Sequence, residues 1–164
     1  MIEAEFISKF DDADAVDMSD TTTNITEENI KELHILADRY PQAQSAIIPM
    51  LHLVQSIDGK VSGEGVRHIA RILDLPEAVV LGVVTFYTMF HKEAVGKHLI
   101  GVCTTSLCAV MGGDMVYETV RKHLGLDGEG TTEDGAFTLE RVECNAACDF
   151  APVMMLNWEF MDNI

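Results

Sequence analysis

The sequence lacks any charge-free apolar run of the roughly 20 residues that a transmembrane helix requires. Its N-terminus also lacks the basic segment followed by an apolar block that marks a secretory signal, and its acidity argues against a mitochondrial transit peptide. These absences predict a cytoplasmic protein that does not insert directly into a membrane. Its 164 residues suffice for one substantial domain, or for one domain with a helical appendage.

Basic residues are scarce. The chain has 11 lysines and arginines against 27 aspartates and glutamates, which gives a net charge of −16. This excess of negative charge repels the backbone of nucleic acids and anionic lipids, so neither is an expected partner. Solubility alone explains the charge, and complementarity to a basic partner protein remains the alternative.

The chain has none of the short motifs that mark common catalytic sites. It contains no GxGxxG, P-loop or HExxH sequence, and its Ser and Asp residues form no recognisable triad. None of its six histidines lies between paired cysteines, so each is interpreted as a surface or packing residue rather than a ligand. The sequence therefore predicts no catalytic residues acting on a bound organic substrate.

The first half of the chain predicts an acidic tail followed by four short helices. Residues 1–24 are rich in Asp and Thr and have little apolar periodicity, which is typical of a disordered tail. Start signals and apolar periodicity place helices that begin at Thr26, near Gln44 or Ser45, at Gly65 and at Pro76. Short helices joined by short loops indicate a small helical bundle over residues 25–92.

The segment VVTFYTMF follows the fourth predicted helix and carries three closely spaced aromatic residues, Phe86, Tyr87 and Phe90. Aromatic side chains bury large apolar areas, so we expect this group to belong to the core. An interface with another protein chain is the alternative interpretation.

Residues 93–164 predict an α/β unit with a small sheet. HLIGVC is a short strand that ends at Cys103, and GAFTLERVEC is a second that ends at Cys144. PVMMLNWEF is a third strand, apolar enough to be central. The apolar face of an intervening amphipathic helix is formed by Met111, Met115, Val116, Val120 and Leu124. The whole chain is therefore expected to be an α+β protein.

All four cysteines lie in two tight pairs, and each pair follows a predicted strand. Cys103 and Cys108 are separated by TTSL, whereas Cys144 and Cys148 are separated by NAA. Strands that end at one edge of a sheet bring their loops together, so the four thiols are expected to converge. A missing export signal argues against two disulfides.

Several chemistries use paired cysteines. A thioredoxin-type dithiol has two intervening residues, which neither pair has. A structural zinc site accepts two to four intervening residues, and a binuclear iron–sulfur cluster also takes four thiolates. Small side chains and backbone N–H groups in both loops favour the cluster, because such groups can point at its sulfurs. The cysteine pattern by itself leaves both kinds of metal site open.

Longer segments resemble a known family. IPMLHLVQSIDGKVS, GVVTFYTMF, VGKHLIGVCTTSLCAVMGGD and TTEDGAFTLERVECNAACDFAPVMMLNWEF are similar to the 24-kilodalton subunits of respiratory complex I, which are the E subunits of bacterial NADH:quinone oxidoreductases. The similarity covers roughly residues 26–160. It implies a helical bundle followed by a thioredoxin-like [2Fe-2S] ferredoxin domain. It also implies that Cys103, Cys108, Cys144 and Cys148 ligate one [2Fe-2S] cluster.

The resemblance further implies a function and partners. The chain is expected to be an electron-transfer subunit in the peripheral arm of a membrane-bound complex, with no turnover alone. Its cluster would exchange electrons with FMN on a flavoprotein subunit that also binds NADH, next to the large iron–sulfur subunit. The same module occurs in NAD-dependent formate dehydrogenases and NAD-linked hydrogenases, which is the first alternative. A structural four-cysteine zinc scaffold is an alternative of another class.

The chain departs from this family pattern in two places. Relatives often have Leu-Gly where this chain has Asn145 and Ala146, and this change is expected to alter hydrogen bonding to sulfur and the reduction potential, but not the ligands. Relatives also normally continue into a further helix after the strand that precedes Ile164. The last face of the sheet is therefore expected to be less covered, or to be covered by partners.

Overall fold

A computed structural model describes residues 15–164. The chain divides into two compact units, with the boundary between Ala94 and Val95. The first unit is helical and the second contains a sheet with two helices. No helix within residues 15–164 is long and apolar enough to cross a membrane.

The predicted tail lies partly outside the described residues, and residues 15–24 differ from the prediction. Val16 is only 6% exposed and belongs to the core of the helical unit. The Arg67 guanidinium donates a hydrogen bond to the Met18 carbonyl, and Lys60 pairs with Asp20 at 3.2 Å. One buried apolar side chain and a few polar contacts thus hold a segment that has no apolar periodicity of its own.

The helical unit consists of four α-helices and one 3₁₀ turn. They are α1 Glu27–Ala37, the 3₁₀ turn Ala43–Ala46, α2 Ile47–Asp58, α3 Gly63–Leu73 and α4 Glu77–Phe86. Thr26 caps α1 as predicted, because its hydroxyl accepts from the Asn29 N–H while the Asn29 side chain accepts from the Thr26 N–H. Ser62 caps α3 through its hydroxyl, which accepts from the Gly65 N–H, so that helix starts two residues before the predicted Gly65.

The core of this unit is aliphatic. Its fully buried side chains include Leu33, Met50, Leu51, Val54, Val61, Val66, Ile69, Val80 and Val84. The aromatic group is divided between core and surface, which corrects the expectation for the whole segment. Phe90 is 2% exposed, whereas Phe86 is 76% exposed because it lies on the opposite side of α4 from Val80 and Val84.

The second unit contains a five-stranded sheet in the order β2-β3-β1-β4-β5. Its elements are β1 His98–Cys103, α5 Ser106–Val110, α6 Gly113–Leu124, β2 Gly130–Thr131, β3 Phe137–Val142, β4 Met154–Leu156 and β5 Glu159–Met161. The central strand β1 pairs with β3 in parallel and with β4 antiparallel. The remaining pairs are antiparallel.

Helix α6 packs on one face of this sheet. Tyr117 of α6 is buried with Ile100 and Val102 of β1 and with Leu139 of β3. Alternation along each strand puts these side chains on one face, since residues two apart point the same way. The packing holds the C-terminal ends of β1 and β3 beside each other, which is where the cysteine loops start.

Two features of this unit differ from the sequence prediction. The predicted third strand is a hairpin of β4 and β5, because Asn157 and Trp158 adopt positive φ angles of 50° and 70° and reverse the chain. The central strand is therefore β1 and not the PVMMLNWEF segment. Met111 and Met115 were expected on the buried face of the helix, but both are exposed, Met115 by 74%.

Candidate metal centre

The first cysteine pair is buried at the end of β1. Cys103 is the last residue of that strand, and its N–H donates to the Val153 carbonyl at 3.1 Å. Cys108 lies in the short helix α5, where its N–H donates to the Thr105 carbonyl at 3.0 Å. The two cysteines are 2% and 3% exposed and form a small apolar cluster with Val153. This pair is therefore held by both strand and helix.

The second pair lies in the loop that follows β3 and is exposed. Cys144 comes two residues after the end of that strand, and Cys148 begins a 3₁₀ turn that ends at Phe150. Ala146 adopts a positive φ of 53°, and its N–H donates to Cys144 Sγ at 3.3 Å. All four cysteines are free thiols.

The parallel pairing of β1 and β3 brings the two cysteine loops to one edge of the sheet. Cys103 is the register partner of Val142, so both strands end at the same level. The Thr105 hydroxyl then donates to the Glu143 carbonyl, which connects the two loops directly. This arrangement puts both predicted cysteine pairs at the same edge of the sheet, although 35 residues lie between Cys108 and Cys144 in the sequence.

The thiols of the buried pair differ in pKa. Burial raises the pKa of Cys103, but the backbone N–H groups of Thr105 and Asn145, together with the Thr105 hydroxyl, lower it to about 7. Burial raises the pKa of Cys108, and its hydrogen bond to Cys103 raises it further. The N–H groups around Cys103 therefore stabilise a thiolate, which is the form of cysteine that binds metals.

The side-chain nitrogen of Asn145 is buried without a hydrogen-bond partner among residues 15–164. Its Nδ2 atom is inaccessible to solvent and finds no acceptor among residues 15–164. A buried donor left in this state costs about 1–3 kcal/mol, because water has been removed and nothing replaces it. The donor lies in the loop between Cys144 and Cys148.

Close packing at the start of α6 supports the buried pair. A Cβ atom at Gly113 would lie 2.5 Å from the Cys103 carbonyl oxygen and 2.9 Å from that of Cys108. Only a glycine permits this approach of α6 to both cysteines.

Within the described part of the chain, no three Cys, His, Asp or Glu side chains are grouped as a single metal ion would require.

An exposed apolar surface adjoins the buried cysteine pair. It consists of four side chains, which we call the α5–α6 apolar surface: Leu107, Val110, Met111 and Met115. Leu107 directly precedes Cys108 in the chain, and the Met115 side chain reaches back towards Gly112. Sequence reasoning missed this surface because apolar residues at helical spacing are usually buried. It also missed the role of Thr105, and it singled out Asn145 without indicating that the side-chain nitrogen of Asn145 is buried.

Comparisons with known proteins give concordant matches. Residues 33–164 match a protein-family model described as thioredoxin-like [2Fe-2S] ferredoxin. The E subunit of the NADH-quinone oxidoreductase of Mycobacterium tuberculosis is 51% identical over 125 residues, which are 76% of this chain and 50% of that protein. The E subunit of the Rickettsia conorii enzyme is 36% identical over 152 residues, 90% of this chain and 91% of the other. The chain thus spans about half the length of its mycobacterial relatives.

The fold is also similar to part of a solved structure. The air-oxidized NAD+-reducing [NiFe]-hydrogenase superposes with a TM-score of 0.63 and 15% sequence identity, over 72% of this chain and 20% of that chain. At this level of identity the likeness concerns the fold alone. Together with the family match, it confirms the predicted α+β class and its thioredoxin-like ferredoxin domain.

Proposed function

Because the chain belongs to the thioredoxin-like [2Fe-2S] ferredoxin family, we propose that it is an electron-transfer subunit of an NADH:quinone oxidoreductase. In this proposal Cys103, Cys108, Cys144 and Cys148 ligate one [2Fe-2S] cluster. The observation that carries it is the meeting of two cysteine loops at one sheet edge, with the Thr105–Glu143 hydrogen bond between them.

The residues present fit such a cluster in three respects. Four free thiols lie at this edge of the sheet, two of them buried and two exposed. The N–H groups of Thr105 and Asn145 lie against Cys103 and stabilise negative charge on its sulfur. The orphaned Asn145 Nδ2 lacks an acceptor that a cluster sulfur would provide. When bound, the cluster supplies one-electron redox chemistry, while this chain supplies ligands, shielding and a docking surface.

The test of this function is the composition and spectrum of protein purified without oxygen. We expect two iron atoms and two sulfides per chain, and a paramagnetic resonance signal that appears on reduction. We expect Cys103→Ser and Cys144→Ser to lose the signal, because each removes one thiolate ligand. Thr119→Ser on the exposed part of α6 is the matched control and should keep it. A colourless protein that holds one zinc ion would show a structural scaffold instead.

Partners follow from the same proposal. Two relatives are named as subunits of NADH-quinone oxidoreductases, and subunits act in assemblies. We propose that the partners of this chain are a flavoprotein subunit, which binds FMN and NADH, and the large iron–sulfur subunit of the same complex. The three subunits would lie in the peripheral arm of that complex, on the cytoplasmic side. The α5–α6 apolar surface is the contact proposed for the flavoprotein, because its Leu107 directly precedes Cys108 in α5.

A charged substitution on that surface tests binding of the flavoprotein independently of cluster binding. Met115 is 74% exposed, so Met115→Glu should change the folding stability by less than about 0.5 kcal/mol. Buried against an apolar partner, the same carboxylate would be desolvated, and we expect less flavoprotein to co-purify. Glu133→Gln, on the loop between β2 and β3, is the control. Unchanged recovery of the flavoprotein would exclude this surface, and recovery of hydrogenase or formate dehydrogenase subunits would reassign the complex.

A further inference from the structure

The side-chain nitrogen of Asn145 lies near the cysteines and has no hydrogen-bond partner within residues 15–164. Asn145 lies in the three-residue loop between Cys144 and Cys148, on the exposed side of the site. Its Nδ2 atom is nevertheless fully shielded and has no partner in the described part of the chain. A polar side chain in a surface loop can normally turn to water, so its burial here requires an explanation.

The backbone N–H groups of this loop lie close to the sulfur atoms. The Asn145 N–H lies against Cys103 Sγ in the opposite loop, and the next N–H, that of Ala146, donates to Cys144 Sγ at 3.3 Å. The positive φ of Ala146 makes this second contact possible by turning the chain back over Cys144. Asn145 therefore lies where the two cysteine loops meet, between a buried thiol and an exposed one.

We propose that the Asn145 side-chain amide donates an N–H···S hydrogen bond to a sulfur of the bound [2Fe-2S] cluster and thereby raises its reduction potential. The inference rests on the proposed function, since it requires the cluster. One-electron reduction adds a negative charge to the cluster, and a donor beside a sulfur stabilises that charge. In this proposal Asn145 donates a hydrogen bond to the cluster but does not ligate its iron.

Replacement of Asn145 by leucine removes the N–H donor and the carbonyl acceptor of the side chain while keeping a similar shape. It therefore leaves no new donor without a partner. At a fixed ambient potential near the midpoint, we expect the ratio of reduced to oxidised cluster to fall about three- to tenfold, where tenfold corresponds to 59 mV for a one-electron couple. Asn145→Asp should lower the ratio further, because a carboxylate adds charge and removes the donor. Asn145→Gln should restore part of the loss.

The measurement is a redox titration of the purified holoprotein followed by paramagnetic resonance. Asn24→Leu, an exposed asparagine in the helical unit, is the matched control and should leave the ratio unchanged. Iron and sulfide content are measured on every sample. If the unmutated protein holds no cluster, the proposed function fails. If all variants hold it and Asn145→Leu has the same midpoint, only the inference about Asn145 is overturned.

A second measurement does not depend on how the variants assemble. Asparagine labelled with nitrogen-15 only at its side-chain amide, in the unmutated protein, should show a magnetic coupling between that nitrogen and the reduced cluster. A side-chain nitrogen without coupling would mean that ordered water satisfies Nδ2, and the inference would be rejected.

Discussion

Gly113→Ala tests whether the start of α6 packs closely against the buried cysteine pair. The added Cβ would lie 2.5 Å from the Cys103 carbonyl oxygen and 2.9 Å from the Cys108 carbonyl oxygen. Both obstacles are backbone atoms of the buried cysteine pair, so no side chain can rotate away. Relief requires α6 or the loop to move by roughly 1 Å, a distortion that typically costs about 1–3 kcal/mol.

Because two carbonyl groups obstruct the methyl group at once, we expect a loss of about 2–3 kcal/mol in the free energy of unfolding. For a chain of this length, that loss corresponds to a fall of about 4–12 °C in the unfolding midpoint. Trp158 is the only tryptophan in the chain and lies in the sheet unit, so its fluorescence follows unfolding of that unit in urea. Iron content should fall in parallel if the loops shift.

Gly128→Ala is the control for this substitution. Gly128 has open space around its Cβ position and lies in the loop between α6 and β2, so its replacement should leave the midpoint and the iron content unchanged. An unfolding midpoint for Gly113→Ala equal to that of the unmutated protein would refute the close packing of α6 against the cysteines. Equal losses for both variants would show that the effect is not specific to this contact.

Two further predictions concern the helical unit. Gly82→Ala should stabilise the protein by about 0.5–1 kcal/mol in urea unfolding, because Gly82 lies inside α4 with open space around it; a lower midpoint would contradict this. Burial lowers the pKa of His91, whose Nε2 is buried without a partner among residues 15–164, so the folded state favours the neutral ring. The unfolded chain then binds a proton first as the pH falls below about 6.5, and stability should decline from there towards the folded pKa. His91→Gln should flatten that decline, and identical pH profiles would reject the assignment.

The strands that carry the cysteines could be predicted because their signals are local. HLIGVC and the end of GAFTLERVEC have the short β-rich pattern of strands, and β1 lies at His98–Cys103 as predicted. The predicted helix start at Thr26 depends on a side chain that caps the adjacent turn, and such a signal acts over three residues. Elements defined by a few neighbouring residues are therefore accessible from the sequence.

Features that depend on distant partners could not be predicted in this way. Strand β2 has only two residues and exists through its pairing with β3, while the Asn157–Trp158 turn carries no glycine to mark it. The exposure of Met115 was also not predicted, because periodicity places apolar residues on one face of a helix without showing which of them the fold buries. At the site, the sequence indicates the cysteines, but the burial of the Asn145 amide depends on how two loops meet.

The carboxylates and the backbone N–H donors of the cysteine site act on the charge of a reduced cluster in opposite directions. Glu143 and Asp149 flank the exposed pair and oppose added negative charge, whereas the N–H groups of Thr105, Asn145 and Ala146 favour it. A solvent-exposed carboxylate roughly 8 Å away contributes only about 0.5 kcal/mol, and salt screens it further. A hydrogen bond to a charged group contributes about 1.5–3 kcal/mol. The short-range donors in the loops should therefore outweigh the acidic surroundings, so the potential should respond more to Asn145 than to the net charge of −16.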